Sequence, residues 1–159
     1  MALPRNPWQA YRQVATETAS PGRLVLLLYE GAIRFLEQAR TGFGKDDPCE
    51  HFQTINNGII RAQAIVNELD HALQMEAGGE LARHLRQLYR YMDARLQDAN
   101  IQKSEEGILD VISRLNILRE SWSEMLQKTQ GDQDMNSTSR SAGPRTETAT
   151  GAPEASRQP

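Results

Sequence analysis

From Pro21 onward the apolar residues recur at helical intervals, and those intervals mark out four helices. Val25, Leu28, Ala32, Phe35, Leu36, Ala39 and Phe43 share one face of a first helix running from about Pro21 to Phe43. Ser20 suits its N-cap, Pro21 suits its first turn, and Gly42 and Gly44 end it. Asp47-Pro48-Cys49-Glu50 reads as a capping box opening a second helix. Its residues Phe52, Ile55, Ile59, Ala62, Val66, Leu69 and Leu73 alternate by threes and fours, the seam of a bundle. A loop with a glycine pair is expected over Gln74 to Gly79. Leu81, Leu85, Leu88, Met92, Leu96 and Ala99 then form a third seam, and Ile108, Val111, Leu115, Leu118, Trp122 and Met125 a fourth. Ser104 can cap that last helix, with Glu105 and Glu106 at its positive end. No segment alternates with period two. The pattern therefore predicts an all-α, antiparallel up-down four-helix bundle joined by short loops.

Some apolar residues fall outside these seams. Leu26, Leu27 and Ile33 sit on or beside the opposite arc of the first helix, among Arg23, Glu30, Arg34 and Glu37. Ile60 and Ile65 lie off the second seam. A helix that is apolar on a second side has a second thing to touch. The expected binding surface comprises Leu26, Leu27, Ile33, Ile55, Ile59, Ile60 and Ile65. Leu26, Ile33 and Ile60 are its sharpest members, whereas Ile55 and Ile59 suit the core equally well. Asn56-Asn57-Gly58 is a poor helix-forming triplet, and a soft spot is expected there.

The ends read differently from the middle. Residues 1–20 form an N-terminal arm or short helix in which Trp8, Tyr11 and Val14 recur at three-residue spacing. That aromatic side either covers an apolar groove or belongs to the core. Residues 21–128 form the bundle and 129–159 a tail. From Gln130 to Pro159 there is no Leu, Ile, Val, Phe, Tyr or Trp, so the tail is expected to be disordered.

Composition removes several functions. The 159 residues carry a formal net charge of -3, with no basic stripe to follow a nucleic acid. The longest apolar run, Leu24 to Tyr29, is too short to span a bilayer, and Met1 to Pro7 offers no apolar stretch of the kind a signal peptide needs. Cys49 is the only cysteine, which forbids an internal disulfide and suits the cytosol. There is no Gly-rich phosphate loop and no His-Glu-x-x-His. One Glu-x-x-His appears at Glu68 and His71, but a di-metal bundle site needs a second. Cys49 near His51 has no orienting acid in a cleft. No metal, no cofactor and no enzymatic activity is expected.

Asn6-Pro7-Trp8-Gln9-Ala10-Tyr11, Thr18-Ala19-Ser20-Pro21 and Leu28-Tyr29-Glu30-Gly31-Ala32 together resemble the start of the flagellar secretion chaperone family. Ile60-Arg61-Ala62-Gln63, Gly78-Gly79-Glu80, Leu88-Tyr89-Arg90-Tyr91-Met92, Ala99-Asn100-Ile101 and Arg119-Glu120-Ser121-Trp122 follow in the family's order, covering residues 6 to 126. The resemblance implies a cytosolic four-helix bundle that binds the disordered C-terminal segment of flagellin. The bound client cannot polymerise prematurely and is presented to the flagellar export gate. The alternative of another class is a helical adaptor that self-associates through the same surplus surface.

Overall fold

The computed structural model describes residues 21–73 and 75–141. The arm residues Trp8, Tyr11 and Val14 and residues 142–159 lie outside the described residues. Four helices follow one another: α1 (Pro21–Thr41), α2 (Pro48–His71), α3 (Met75–Gln102) and α4 (Glu105–Ser141), with a 3-10 turn at Gly42–Gly44. No strand occurs among the described residues.

The helix boundaries have local causes. Asp47 accepts hydrogen bonds from the backbone N–H groups of Cys49 (2.7 Å) and Glu50 (3.1 Å), so the N-cap forms as the residue types predicted. The expected loop before α3 is smaller than the glycine pair suggested. Residues from Met75 are already helical, and the break falls on Gly79 alone, at φ 57° and ψ -133°. A side chain is strained at that backbone conformation, and glycine is not. At the far end of α3, Lys103 takes φ 50° and the N–H of Ser104 reaches the carbonyl of Ala99 at 3.0 Å, closing the helix in a Schellman-type turn.

Paired contacts establish the topology. Against α1, Ala39 and Phe35 meet Gly58 of α2 and Gly31 meets Ile65, so these helices run antiparallel. Between α2 and α3, Asn56 pairs with Asn100, Gln63 with Asp93, and Asp70 with Arg86. Between α3 and α4, Ala99 lies against Gly107 and Tyr91 bonds Asp110. Arg40 reaches Glu105 at 3.1 Å, and Trp122 reaches Gly22 at 2.8 Å, which closes the ring from α4 back to α1. The result is an antiparallel up-down bundle in the order α1, α2, α3, α4.

All four helices contribute to one core. Leu36, Ile55, Ile59, Val66, Met92, Leu96, Ile108, Val111 and Leu115 are fully buried in it. Burying each such aliphatic side chain contributes roughly 1.5–3 kcal/mol before ordering costs. Through Leu126 the chain forms one unit, and residues from Gln127 a second. In the second unit α4 runs on to Ser141. Residues 127–139 are all exposed, so the helix there rests on local backbone hydrogen bonds and not on a packed face. No helix among the described residues is long and apolar enough to cross a membrane.

Candidate binding surface and the apolar cavity

The seven residues expected to form a binding surface separate on burial. Ile55, Ile59 and Ile65 are fully buried in the central cluster. Leu26 is also buried, at 5% exposure, although outside that cluster. These four do not form surface on the bundle, which corrects their placement. For Ile65 the cause is the close crossing of α1 and α2. A Cβ on Gly58 would lie 2.6 Å from both Ala39 Cβ and the Phe35 carbonyl oxygen, so the two backbones nearly touch. On the same side Ile65 Cδ1 sits 3.3 Å from where a Cβ of Gly31 would be. Helices this close enclose positions on either side of the seam, and Ile65 is one of them. Leu27 and Ile33 are half-buried, Ile33 packing against the core. Ile60 is 51% exposed on α2 and is the one clear surface member of the set.

A concave apolar site lies elsewhere, at the end of the bundle where α2 gives way to α3. A cavity of about 230 Å³ opens there between all four helices. Val25 and Tyr29 of α1, Leu69 of α2 and Leu73 just beyond its end, Leu85 and Tyr89 of α3 and Trp122 of α4 form its walls. Ala72, Gly78 and Ala82 also line it. Leu81, on the rim, is 65% exposed. Sequence reasoning placed most of these residues on core seams. The available signal was that seam positions Leu73 and Leu81 flank a helix break whose only apolar side chains are Met75 and Ala77.

The polar groups at this end are few and well defined. The Tyr29 and Tyr89 hydroxyls are 2.6 Å apart, a buried hydrogen bond across the bundle diagonal. Burial pushes the Tyr29 phenol above its ordinary range. Burial also pushes Tyr89 up, reinforced by Tyr29 and by the negative charge of Asp70, so both remain protonated at neutral pH. Trp122 stands edge-on to Tyr29, ring centroids 6.4 Å apart, and its Nε1–H donates to the Gly22 carbonyl. Asp70 accepts from Arg86 Nε at 3.0 Å and is thereby held beside the site.

The Tyr29 and Tyr89 hydroxyls bond each other, and Cys49 is exposed at the first turn of α2. Among the described residues no three His, Cys, Asp or Glu side chains gather as metal ligands. The arrangement can take up an apolar side chain from another segment of polypeptide.

Comparison with known proteins agrees with the order of motifs. The sequence model of the family described as Flagellar protein FliS matches residues 4–129. The flagellar secretion chaperone FliS of Bacillus subtilis is 32% identical over 128 residues, 80% of this chain and 92% of that protein. FliS of Salmonella typhimurium is 33% identical over 124 residues, 76% of this chain and 90% of the relative. FliSB of Pseudomonas aeruginosa is 39% identical over 111 residues, 66% and 82% of the two chains. With a match across the whole bundle and relatives covered over most of their length, the chain belongs to the FliS family of flagellar proteins.

Proposed function

We propose that this protein is a cytosolic export chaperone for flagellin. It binds the disordered C-terminal segment of flagellin, keeps it from polymerising, and delivers it to the flagellar type III export apparatus. The observation that carries the reading is an apolar cavity left open in a bundle whose family relatives are named flagellar secretion chaperones. An amphipathic client segment seats apolar side chains in such a groove. Each anchored aliphatic group contributes roughly 1.5–3 kcal/mol, while ordering the segment costs about 2–5 kcal/mol or more. One cavity is therefore not enough, and a long client path is needed. Half-buried Leu27 and Ile33 and exposed Ile60 extend the apolar surface along α1 and α2.

The N-terminal arm is assigned the role of groove cover in the free protein. Residues 1–20 join the bundle at Pro21, one residue before Gly22, which Trp122 holds, and close to Val25 in the cavity wall. Trp8, Tyr11 and Val14 carry the apolar side chains that the client displaces. Val14 is seven residues from Pro21, a reach of about 23 Å when extended.

Co-purification with flagellin, intact and truncated at its C-terminus, tests the reading. The intact client is expected to be retained and the truncated one lost. Equal retention of both, or of neither, refutes it. Deleting residues 1–17 is expected to preserve the fold and to leave client affinity equal or higher.

A further inference from the structure

We infer that the Tyr29–Tyr89 hydroxyl pair is the polar recognition point of the cavity, holding one O–H in reserve for a neutral acceptor that the client carries beside its apolar side chain. The inference rests on the client-binding reading above and adds the chemistry that the site selects.

Two phenols bring two O–H groups, and each is a single donor. The 2.6 Å contact consumes one of them. Whichever hydroxyl accepts in the pair keeps its own hydrogen, and no protein acceptor is paired with it among the described residues. A buried donor left without a partner costs roughly 1–3 kcal/mol. Two phenylalanines would form the same apolar wall without that cost. Trp122, the other polar-tipped aromatic in the wall, has already committed its N–H to Gly22.

A cavity of about 230 Å³ has room for solvent to satisfy the spare hydrogen while the site is empty. A segment that fills the cavity expels this solvent. It must then supply an acceptor of its own or forfeit the bond. A backbone carbonyl, or the oxygen of a Ser, Thr, Asn or Gln beside the apolar anchor, meets the requirement. A carboxylate does not, because entering the buried apolar cavity strips it of water that a single phenol O–H cannot replace. Burial keeps both phenols protonated, so the donor persists throughout the physiological range. The occupant is a polypeptide segment of the client. That segment enters at the end of the bundle where Trp122 holds Gly22.

The pair makes an unusual mutational signature. Replacing either tyrosine by phenylalanine breaks the pair but frees the surviving hydroxyl to bond the occupant. Replacing both removes the donor. Calorimetric titration of the full-length chain with a flagellin C-terminal peptide is expected to give Tyr29→Phe and Tyr89→Phe affinities within about twofold of wild type. The double variant is expected to bind about five- to tenfold more weakly. Wild-type affinity in the double variant, or singles as weak as the double, overturns the inference and makes the pair a packing element.

A second arm reads the cavity without the client. Acetophenone and cumene have nearly one shape and differ in a carbonyl oxygen against a methyl group. By ligand-observed NMR on the full-length chain, the ratio of acetophenone to cumene affinity is expected to fall about fivefold from wild type to the double variant. An unchanged ratio, or no binding of either probe, overturns the inference while peptide binding leaves the chaperone reading standing. A shifted ratio in a protein that ignores the flagellin peptide sustains the recognition chemistry and refutes flagellin as the client.

Discussion

Trp122 Nε1 donates to the Gly22 carbonyl oxygen across 2.8 Å, tying α4 to the first turn of α1. The same indole forms part of the cavity wall and stands edge-on to Tyr29. One side chain therefore holds together the root of the N-terminal arm and the site that the arm is assigned to cover.

Trp122→Phe keeps an aromatic wall and removes the hydrogen bond. One lost bond together with some packing costs about 1–2 kcal/mol. For a domain of this size the melting temperature falls by about 3–6 °C. A urea titration followed by far-UV circular dichroism measures it. A change under about 0.3 kcal/mol would mean that the bond contributes nothing to the closure of the ring.

Gly58→Ala is expected to destabilise despite its better helix propensity. Alanine gains about 0.5–1 kcal/mol over glycine within a helix. Against this, the new Cβ would lie 2.6 Å from Ala39 Cβ and from the Phe35 carbonyl oxygen, and 2.9 Å from Ala39 Cα. Two of these atoms are backbone, so the helices must separate, and overpacking of that kind costs about 1–3 kcal/mol. Gly131→Ala is the control. Its Cβ meets nothing within 4 Å, and helical content should rise or stay constant.

Gly58 also shows how far the chain can be read from its sequence. Helix periodicity identified Ile55, Ile59, Leu96 and Leu115 as seam residues because seam spacing is local. The weakness of Asn56-Asn57-Gly58 was equally legible, but its meaning was not. Gly58 admits α1, and Asn56 bonds Asn100 at 2.9 Å, so the triplet serves contacts with helices distant in sequence. Ile65 was misplaced for the same reason. A helical wheel allots one buried face, and α2 is flanked closely by α1 on one side and α3 on the other. The cavity depends on how helix ends meet around Gly79, and the Tyr29–Tyr89 bond joins residues 60 apart. Neither relationship has a periodic signature.

Acid should weaken the α3–α4 contact in a predictable direction. Asp110 accepts from Tyr91 Oη at 2.7 Å and from Arg114 Nε at 3.1 Å, with Arg95 Nε at 3.5 Å. The Tyr91 hydrogen bond chiefly, aided by Arg114 and Arg95, holds the carboxyl below the usual carboxylate range. A carboxyl depressed in the folded state adds stability above its unfolded pKa of about 3.9 and loses it as pH falls through the folded value. The stability difference between wild type and Asp110→Asn should therefore be constant from pH 7 to about 5 and shrink below about 4. Urea midpoints at pH 6 and pH 3 measure it. A difference independent of pH would show that the ionised carboxylate adds nothing here.

Leu81→Asp and Ile60→Asp together locate the client path. Leu81 is 65% exposed and Ile60 51%, so each substitution should change folding stability by no more than about 0.5 kcal/mol. Leu81 lines the cavity rim, and a carboxylate there must lose water as the client covers it. Client affinity should fall more than about tenfold. Ile60 lies on α2 away from the cavity lining, so Ile60→Asp reports on the extended part of the path and should weaken binding by a smaller factor. If only Leu81→Asp loses affinity, the client is held at the bundle end alone, and the energy of the complex must come from a short, deeply buried anchor. If both retain wild-type affinity with the fold intact, the exposed apolar surface plays no part in holding the client, and the cavity is a packing defect of the bundle.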